Sequence, residues 1–415
     1  MSSTVEVRNL YKIFGDSPKG AIDLLKEGMS KDEILAKTGN VVGLADVSFS
    51  VTPGEIFMVM GLSGSGKSTL VRCINRLIQP TAGSVLIDDE DIVRLDDERL
   101  REVRRTKISM VFQHFGLFPH RTVVENAEYG LKVQGVPQAE RRKKATETLE
   151  MVGLKDWADH RPDSLSGGMR QRVGLARALA TDPEVLLMDE AFSALDPLIK
   201  REMQDELVHI QRELQKTIIF ITHDLNEALK LGDRTAVMKD GRIVQIGTPE
   251  EIVSGPANDY VADFTRDVDR GRVLTAGSVM RRPETLLAGH DTVRTAMARM
   301  AALDEDAMYM VDRQGRPVGL VIDDDIARAV RAGQRDLSEV ANVDFPCVEE
   351  SVALSETFGL CAQNLPVAVR NDSGRLTGVL NQFDVLSRMS GDGAEVGDNA
   401  SADASTEAGE PVATQ

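Results

Sequence analysis

The stretch Gly61 to Ser68 reads GLSGSGKS and fits the spacing G-x-x-x-x-G-K-[S/T]. Glycines let successive backbone N–H groups face one anion, and a helix that begins at the lysine adds positive potential. The apolar run IFMVM comes before the stretch, and a helical pattern over 67–78 follows it. We therefore predict a phosphate-binding loop, in which Lys67 reaches the β- and γ-phosphates of a nucleotide and Ser68 binds Mg²⁺.

Acidic residues and a histidine follow two other apolar runs. VLLMD ends at Asp189 and is followed by Glu190, while TIIFIT is followed by His223. The carboxyl ends of parallel strands line the ligand crevice of such a sheet. We expect Asp189 to hold Mg²⁺ through water, Glu190 to polarise an attacking water, and His223 to reach the γ-phosphate.

A second glycine-led helix start lies about a hundred residues after the first. The stretch LSGGMRQRVGLARAL places Ser166, Gly167 and Gly168 at the beginning of a helical pattern. Backbone N–H groups and the helix dipole make such a start an anion site. The chain therefore offers a place for a phosphate beyond the one at Lys67.

The elements that must position these residues alternate along the chain. Residues 4–14 read as a strand, and residues 20–39 read as two short amphipathic helices, the second capped by Ser30. Short apolar strands then alternate with helices to about residue 250, which predicts a mostly parallel sheet covered on both faces. Asp240 and Gly241 predict the turn of a hairpin.

The character of the chain changes near residue 270. Two units of roughly 55 residues share the order helix, apolar strand, turn, strand led by Gly319 or Gly378, and helix begun by Asp325 or Asp384. The segment 391–415 is rich in Gly, Ala, Ser and acidic residues and contains no Lys or Arg. Such a composition cannot bury enough apolar surface to offset ordering entropy, so we predict a disordered acidic tail.

Composition excludes some classes of function. The net charge of −17 disfavours nucleic acid as a partner, since phosphate binders usually carry a basic surplus. No apolar run approaches the ~20 residues that a bilayer span needs, so another chain would supply any passage through a membrane. The three cysteines have no metal-ligand spacing and are expected to be free thiols.

The glycine-led helix carries a resemblance to a known family. LSGGMRQRVGLARAL resembles the signature sequence of ATP-binding-cassette (ABC) ATPases, and the other family motifs follow in order over residues 4 to about 250. The resemblance implies an α/β P-loop NTPase with an antiparallel β subdomain and a helical subdomain. It also implies that two copies pair head to tail, so that the signature of one chain faces the phosphate loop of the other. ATP then holds the two chains together.

The resemblance assigns roles to individual residues. Gln113 matches the glutamine that senses Mg²⁺ and the transport partner, and Asp196 ends the D-loop. Phe14 lies where the family stacks an aromatic ring on adenine, with Tyr11 as a neighbouring candidate. The expected catalytic residues are Glu190, His223 and Gln113, and the expected Mg²⁺ ligands are Ser68, Gln113 and Asp189. The expected ATP contacts are Phe14, Gly61, Ser63, Gly64, Ser65, Gly66, Lys67, Ser68 and Thr69, with Ser166, Gly167, Gly168 and Asp196 acting across the dimer.

Further stretches narrow the resemblance. The insert at about 18–40 and the stretch PANDYVADFTRDVDR resemble the ATPase subunit of glycine betaine/proline betaine importers. The internal repeat resembles the CBS tandem that many such subunits carry. The expected domains are an ABC domain over 1–265, CBS repeats over 272–333 and 334–390, and the tail. Expected partners are a second copy, membrane permease subunits, through them a solute-binding protein, and anionic lipid. The expected location is peripheral, at the cytoplasmic face of the inner or plasma membrane.

Alternatives remain at two levels. The solute could be choline, carnitine or proline, since a different subunit binds it. A cassette that acts on DNA or ribosomes lacks support. Family members that act on DNA carry a long coiled-coil insertion, those that act in translation usually carry two cassettes in one chain, and this chain has neither. A purely regulatory chain is disfavoured by the intact Lys67, Glu190 and His223. In the CBS pair, Ile322 and Asn381 replace the usual hydroxyl, so Asp325 and Asp384 either contact a nucleotide or cap helices.

Overall fold

Two units make up the chain in the computed structural model, Met1–Asp269 and Arg270–Gln415. The structure describes residues 2–363 and 365–390, so the acidic tail predicted over 391–415 lies outside the described residues. The cysteines Cys73, Cys347 and Cys361 are free thiols, as expected.

The first unit alternates strands and helices. Its strands are β1 Val5–Phe14, β2 Val41–Val51, β3 Ile56–Met60, β4 Ala82–Ile87, β5 Glu90–Asp91, β6 Ile108–Val111, β7 Val185–Asp189, β8 Thr217–Thr222, β9 Arg234–Lys239 and β10 Arg242–Gly247. Its helices are α1 Pro18–Lys26, α2 Lys31–Thr38, α3 Lys67–Ile74, α4 Asp97–Thr106, α5 Val123–Ala127, α6 Tyr129–Val133, α7 Gln138–Met151, α8 Gly167–Leu179, α9 Pro197–Leu214, α10 Leu225–Leu231, α11 Pro249–Ser254 and α12 Asp259–Thr265.

The central sheet has the strand order β10-β9-β3-β8-β7-β6. Its strands pair in parallel except for β10, which closes an antiparallel hairpin with β9. Along β3 the side chains of Phe57 and Val59 enter one apolar cluster, and those of Met58 and Met60 enter another. The sheet is therefore covered on both faces, which confirms the predicted fold class.

An antiparallel sheet of order β2-β1-β4-β5 lies beside the central one in the first unit. The insert α1–α2 packs on β1 and β2 through Ile22, Leu25 and Ile34, all of which are buried. The Ser30 hydroxyl accepts a hydrogen bond from the Glu33 N–H at 3.3 Å, and the Glu33 carboxylate accepts one from the Ser30 N–H at 2.8 Å. This capping box begins α2 at the predicted position.

Two local predictions have different outcomes. The hairpin turn is as predicted, because Asp240 and Gly241 both have positive φ, at 50° and 79°. The helix predicted over 67–78 is too long, since α3 ends at Ile74. Arg76 has a φ of 54°, and its guanidinium donates to the Ile92 carbonyl at 3.1 Å, so a tertiary contact accompanies the helix end.

The second unit contains the internal repeat. Its strands are β11 Thr285–Leu287, β12 Ala307–Val311, β13 Pro317–Ile322, β14 Cys347–Glu349, β15 Val367–Arg370 and β16 Leu376–Leu380, and its helices are α13 Arg270–Val273, α14 Ala276–Val279, α15 Val293–Leu303, α16 Asp323–Ala332, α17 Leu354–Cys361 and α18 Gln382–Ser390. Each repeat builds a three-stranded sheet with one parallel and one antiparallel pairing. The buried Tyr309 hydroxyl of the first repeat donates to the Pro366 carbonyl of the second at 2.6 Å.

Candidate functional site

The loop between β3 and α3 has the backbone that a phosphate cradle requires. Gly61, Gly64 and Gly66 all have positive φ, at 152°, 78° and 104°. A Cβ at Gly61 would lie 2.3 Å from the Met238 carbonyl oxygen, and one at Gly66 would lie 2.5 Å from that of Gly43. Because a side chain at either position would meet backbone, these two glycines are required by close packing as well as by conformation.

Two polar side chains in this loop are prepared for an anion. The Lys67 ammonium is 4% exposed and donates to the Gly61 and Leu62 carbonyls at 2.8 and 3.1 Å. Burial lowers the pKa of Lys67, and the negative charges of Glu190 and Asp189 oppose that shift. The Ser65 hydroxyl is buried and has no hydrogen-bond partner among the described residues. A buried polar group without a partner fits a bound phosphate, which would supply the acceptor.

Ser68 and Asp189 lie together at the carboxyl end of β7. The Ser68 hydroxyl donates to Asp189 Oδ1 at 2.9 Å, and the Arg72 guanidinium lies 3.3 Å from Oδ2. Hydroxyl and carboxylate oxygens are the ligands that Mg²⁺ prefers, so this donor set fits that ion. Sequence reasoning missed Arg72, although its place one helical turn after Ser68 puts both on one face of α3.

Glu190 lies at the centre of a second group. Gln113 Nε2 donates to Glu190 Oε2 at 3.4 Å, and His223 Nδ1 lies 3.2 Å from the same oxygen. Glu190 itself has a φ of 47°, which is uncommon for a residue other than glycine and occurs at strained functional positions. Gln113 also donates to the Ser193 hydroxyl at 3.1 Å, a contact that sequence reasoning missed. The three predicted catalytic residues are therefore brought together from separate parts of the chain.

The start of α8 is built as an exposed helix N-terminus. Ser166 is the N-cap, and its hydroxyl oxygen accepts a hydrogen bond from the Met169 N–H at 3.3 Å. A Cβ at Gly168 would lie 2.3 Å from Ile199 Cγ2, so α9 packs closely here. Asp196 caps α9 by accepting from the N–H groups of Leu198 and Ile199. Among the described residues, no hydrogen bond or ion pair joins Ser166, Gly167, Gly168 or Asp196 to the phosphate loop.

The two aromatic candidates for stacking on a base, Phe14 and Tyr11, differ in exposure. Phe14 ends β1 with 39% of its surface exposed, and its ring reaches toward Gly43, where a Cβ would meet Phe14 Cε2 at 2.9 Å. The same Cβ would lie 3.3 Å from Thr69 Cγ2, which places Phe14 beside the phosphate-loop helix. Tyr11 is buried against the insert. Tyr11 is therefore wrong as a candidate, because packing leaves its ring no free face.

In the CBS pair each carboxylate at the expected positions contacts an arginine. Asp325 is the third residue of α16 and forms an ion pair with Arg328, while Asp384 accepts from Arg281 Nε at 2.6 Å. The capping alternative for Asp325 is wrong, since Ile322 occupies the N-cap. A Cβ at Gly378 would lie 2.3 Å from the Met280 sulfur. The hydroxyl is replaced and each carboxylate contacts an arginine, but Asp384 Oδ2 is buried without a partner among the described residues, so the nucleotide alternative stays open.

Comparisons with known proteins agree with this geometry. Residues 44–193 match the family described as ABC transporter, and residues 276–332 match the CBS domain. The glycine betaine transport ATP-binding protein OpuAA of Bacillus subtilis (strain 168) is 51% identical over 93% of this chain and 92% of its own length. The glycine betaine/proline betaine transport system ATP-binding protein ProV of Escherichia coli (strain K12) is 47% identical over 96% of this chain and 100% of its own.

A solved structure resembles the first unit. It is described as the dimeric, post-hydrolysis state of an ATP-binding cassette bound to ADP and Pi, and it is 35% identical with a TM-score of 0.50. The match covers 59% of this chain and 98% of that chain. Within the described part of this chain, no helix has the length and apolar character needed to cross a bilayer.

Proposed function

This chain belongs to the ABC transporter family, among the ATP-binding subunits of glycine betaine transport systems, and from that premise we propose how it works. It hydrolyses ATP to power the import of glycine betaine, proline betaine or a related compatible solute through separate permease subunits. The chain acts as a peripheral subunit on the cytoplasmic face of the membrane, and the permease connects it to a solute-binding protein.

The solute is the open part of the proposal. A relative named for choline transport is 35% identical over 85% of this chain, against 51% for the one named for glycine betaine. A further relative, 48% identical, is named for both glycine betaine and carnitine. Glycine betaine is therefore favoured, and choline, carnitine or proline remain the alternatives, because a different subunit is expected to bind the solute.

The first half of the mechanism is binding of the nucleotide. The N–H groups of the loop from Gly61 to Ser68, the Lys67 ammonium and the free Ser65 hydroxyl surround the phosphates of ATP. Ser63 and Gly64 belong to this loop, Thr69 follows it in α3, and Phe14 supplies the ring for adenine. Ser68, Asp189 and Gln113 would hold Mg²⁺, which when bound neutralises charge on the phosphates.

The second half is activation of water by Glu190. Its carboxylate is held by Gln113 and His223, so it is fixed at the sheet edge where the γ-phosphate lies. A carboxylate there orients and polarises the attacking water, and His223 stabilises charge on the γ-phosphate. The observation that carries the proposal is the contact of both residues with one oxygen of Glu190.

A second copy completes the site. The N–H groups of Gly167 and Gly168 and the Ser166 O–H remain available, although nothing in the described chain brings them to its own phosphate loop. Head-to-tail pairing would place Ser166, Gly167, Gly168 and Asp196 against the partner's γ-phosphate. The dimeric state of the similar cassette supports this arrangement.

Substitution of Glu190 tests the catalytic proposal. The change Glu190→Gln keeps the shape and removes the charge, so ATP should still bind while hydrolysis stops, and a nucleotide-bound dimer should accumulate. Size-exclusion chromatography with ATP and Mg²⁺ measures the dimer. The matched control is Glu213→Gln, which removes an exposed carboxylate 3.4 Å from His209. If Glu190→Gln stays monomeric and hydrolyses ATP as the unmodified chain does, the role of Glu190 is wrong.

The CBS region provides the basis for regulation. Arginines of the first repeat are exposed, and Arg282, Arg294, Arg313 and Arg335 have no carboxylate within ion-pair distance among the described residues. We propose that these exposed arginines attract anionic lipid beside the permease and the acidic residues of the segment 391–415. Salt screens both attractions, since the Debye length falls from ~10 Å at 0.1 M to ~3 Å at 1 M. We propose that rising ionic strength releases the transporter.

A further inference from the structure

One face of α8 holds the loop that carries Gln113. The guanidinium of Arg177 donates to the Gly116 carbonyl at 2.5 Å and to the Phe115 carbonyl at 2.9 Å. The Arg170 guanidinium lies over the Phe115 ring, 5.3 Å from its centroid. Between them, a Cβ at Gly174 would lie 3.7 Å from the Phe115 oxygen. These positions are four and three residues apart, so they form one stripe along the helix.

The hydrogen bonds to the loop are the ones that satisfy the Arg177 guanidinium. Burial lowers the pKa of Arg177, and among the described residues neither Arg170 nor Arg177 forms an ion pair with a carboxylate. Arg177 is partly buried, and a partly desolvated cation without a counter-ion is stabilised when its N–H groups are hydrogen-bonded. The two loop carbonyls supply those bonds, so the loop and the helix must keep one relative position.

The loop is also held at both ends. At its start, Gln113 donates to Glu190 and Ser193 at 3.4 and 3.1 Å. At its end, the buried Asn126 side chain accepts from the Phe118 N–H at 2.7 Å and donates to the Phe118 carbonyl at 3.1 Å. Between these anchors the loop has no regular secondary structure. Arg170 and Arg177 therefore hold its middle, together with Leu117, which packs against the apolar core.

We propose that Arg170 and Arg177 are positioning residues that link the signature helix to the catalytic glutamate. The same helix begins at Ser166 and Gly167, the end assigned above to the partner's phosphate. It also holds Phe115, which lies two residues after Gln113. Movement of α8 when the second copy closes is then carried through Phe115 and Gly116 to Gln113, and from there to Glu190. This inference rests on the proposed role of Glu190.

A spin label tests the positioning directly and without ATP. His114 is exposed and lies between Gln113 and Phe115, so a nitroxide on His114→Cys, in a Cys347→Ser background, reports motion of the loop. Arg177→Met should narrow the spectrum by mobilising the loop, and Arg177→Lys should have a smaller effect because lysine lacks the fork that binds two carbonyls. The matched control is Arg172→Met on the same helix, whose side chain donates to the Val152 carbonyl at 3.1 Å and pairs with Glu206.

Kinetics of the assembled transporter supply the second measurement. Arg177→Met should lower kcat ~10- to 100-fold, the cost of a misplaced catalytic group, and leave KM for ATP unchanged because the phosphate loop is intact. Arg170→Gln, a milder change, serves if Arg177→Met does not fold. An unaltered spectrum, or a mobile loop with unaltered kcat, overturns the inference. A mobile loop and low kcat together with a fully active Glu190→Gln would overturn the role of Glu190 and leave the positioning contact standing.

Discussion

Lys200 should stabilise the first unit in a manner that depends on pH. It lies in the first turn of α9, and its ammonium is 2.8 Å from Asp224 Oδ2 and 3.4 Å from Glu227 Oε1. Glu227 is 2% exposed and also accepts from Gln204 Nε2 at 3.2 Å. Asp224 follows His223 and caps α10. The change Lys200→Met removes the cation that pairs with both carboxylates.

The direction follows from the two carboxyl groups. Burial raises the pKa of Glu227, and the Thr222 hydrogen bond and the charge of Lys200 oppose that shift. Burial also acts on Asp224, but the hydrogen bond and charge of Lys200 bring its pKa below the ordinary value. Without Lys200 the folded-state pKa values of Asp224 and Glu227 both rise. The ionised form of each carboxylate is then less favourable in the folded chain, so the free energy of unfolding falls where these groups are ionised. The loss should be smallest in acid below the lowered pKa of Asp224, where both groups are protonated, and should grow as the pH rises through the raised pKa of Glu227 toward 8.

The magnitude follows from burial. Breaking a fully buried pair costs about 3–5 kcal/mol, but Lys200 and Asp224 are partly exposed at 17% and 34%, so we expect about 2 kcal/mol at pH 8. For a unit of this size that corresponds to a Tm lower by ~4–8 °C. Thermal unfolding of the full chain, followed by circular dichroism at pH 5 and pH 8, measures the difference.

Two further variants make the test specific. Lys200→Met combined with Glu227→Gln should recover much of the lost stability, since the amide needs no cation. Lys230→Met removes an exposed ion pair with Asp205, 42% and 70% exposed, and should change stability by less than about 0.5 kcal/mol. Equal losses of Lys200→Met at pH 5 and pH 8, or no recovery in the double variant, would refute the electrostatic reasoning.

Three other predictions concern the ring for adenine, the start of α8 and the CBS region. Phe14→Ala should weaken ATP binding by ~1–3 kcal/mol, the range for loss of stacking on a base, whereas Tyr11→Phe should leave the Kd for ATP unchanged; equal effects would contradict the assignment. Gly168→Ala should destabilise the chain by ~1–3 kcal/mol through collision with Ile199, and Ile199→Ala should relieve part of that cost in denaturant unfolding. In vesicles of anionic lipid, transport by complexes with chains cut after Arg388 or near Gly271 should be activated at other salt concentrations than transport with the full chain. Identical salt thresholds would place the regulation elsewhere.

The features that the sequence determined by itself are those encoded by neighbouring residues. The phosphate loop needs GLSGSGKS between a strand and a helix, and all of these lie within about twenty residues. The capping box at Ser30 and the turn at Asp240 and Gly241 depend on residue types within four positions. The internal repeat was visible because each copy needs the same order of elements to bury its own apolar face.

Only the tertiary structure decided which distant side chains meet. Gln113 and His223 reach Glu190 from positions 77 and 33 residues away, and Arg177 holds a loop about sixty residues upstream. The resemblance placed Gln113 and the strand edge placed His223, but the sequence did not indicate the contacts that Arg72, Ser193 and Arg177 make. Tyr11 and Phe14 lie on the same strand, and packing of the insert alone determines which ring stays exposed. Such contacts depend on strand order and helix packing, which are set by the burial of the whole core rather than by any short stretch.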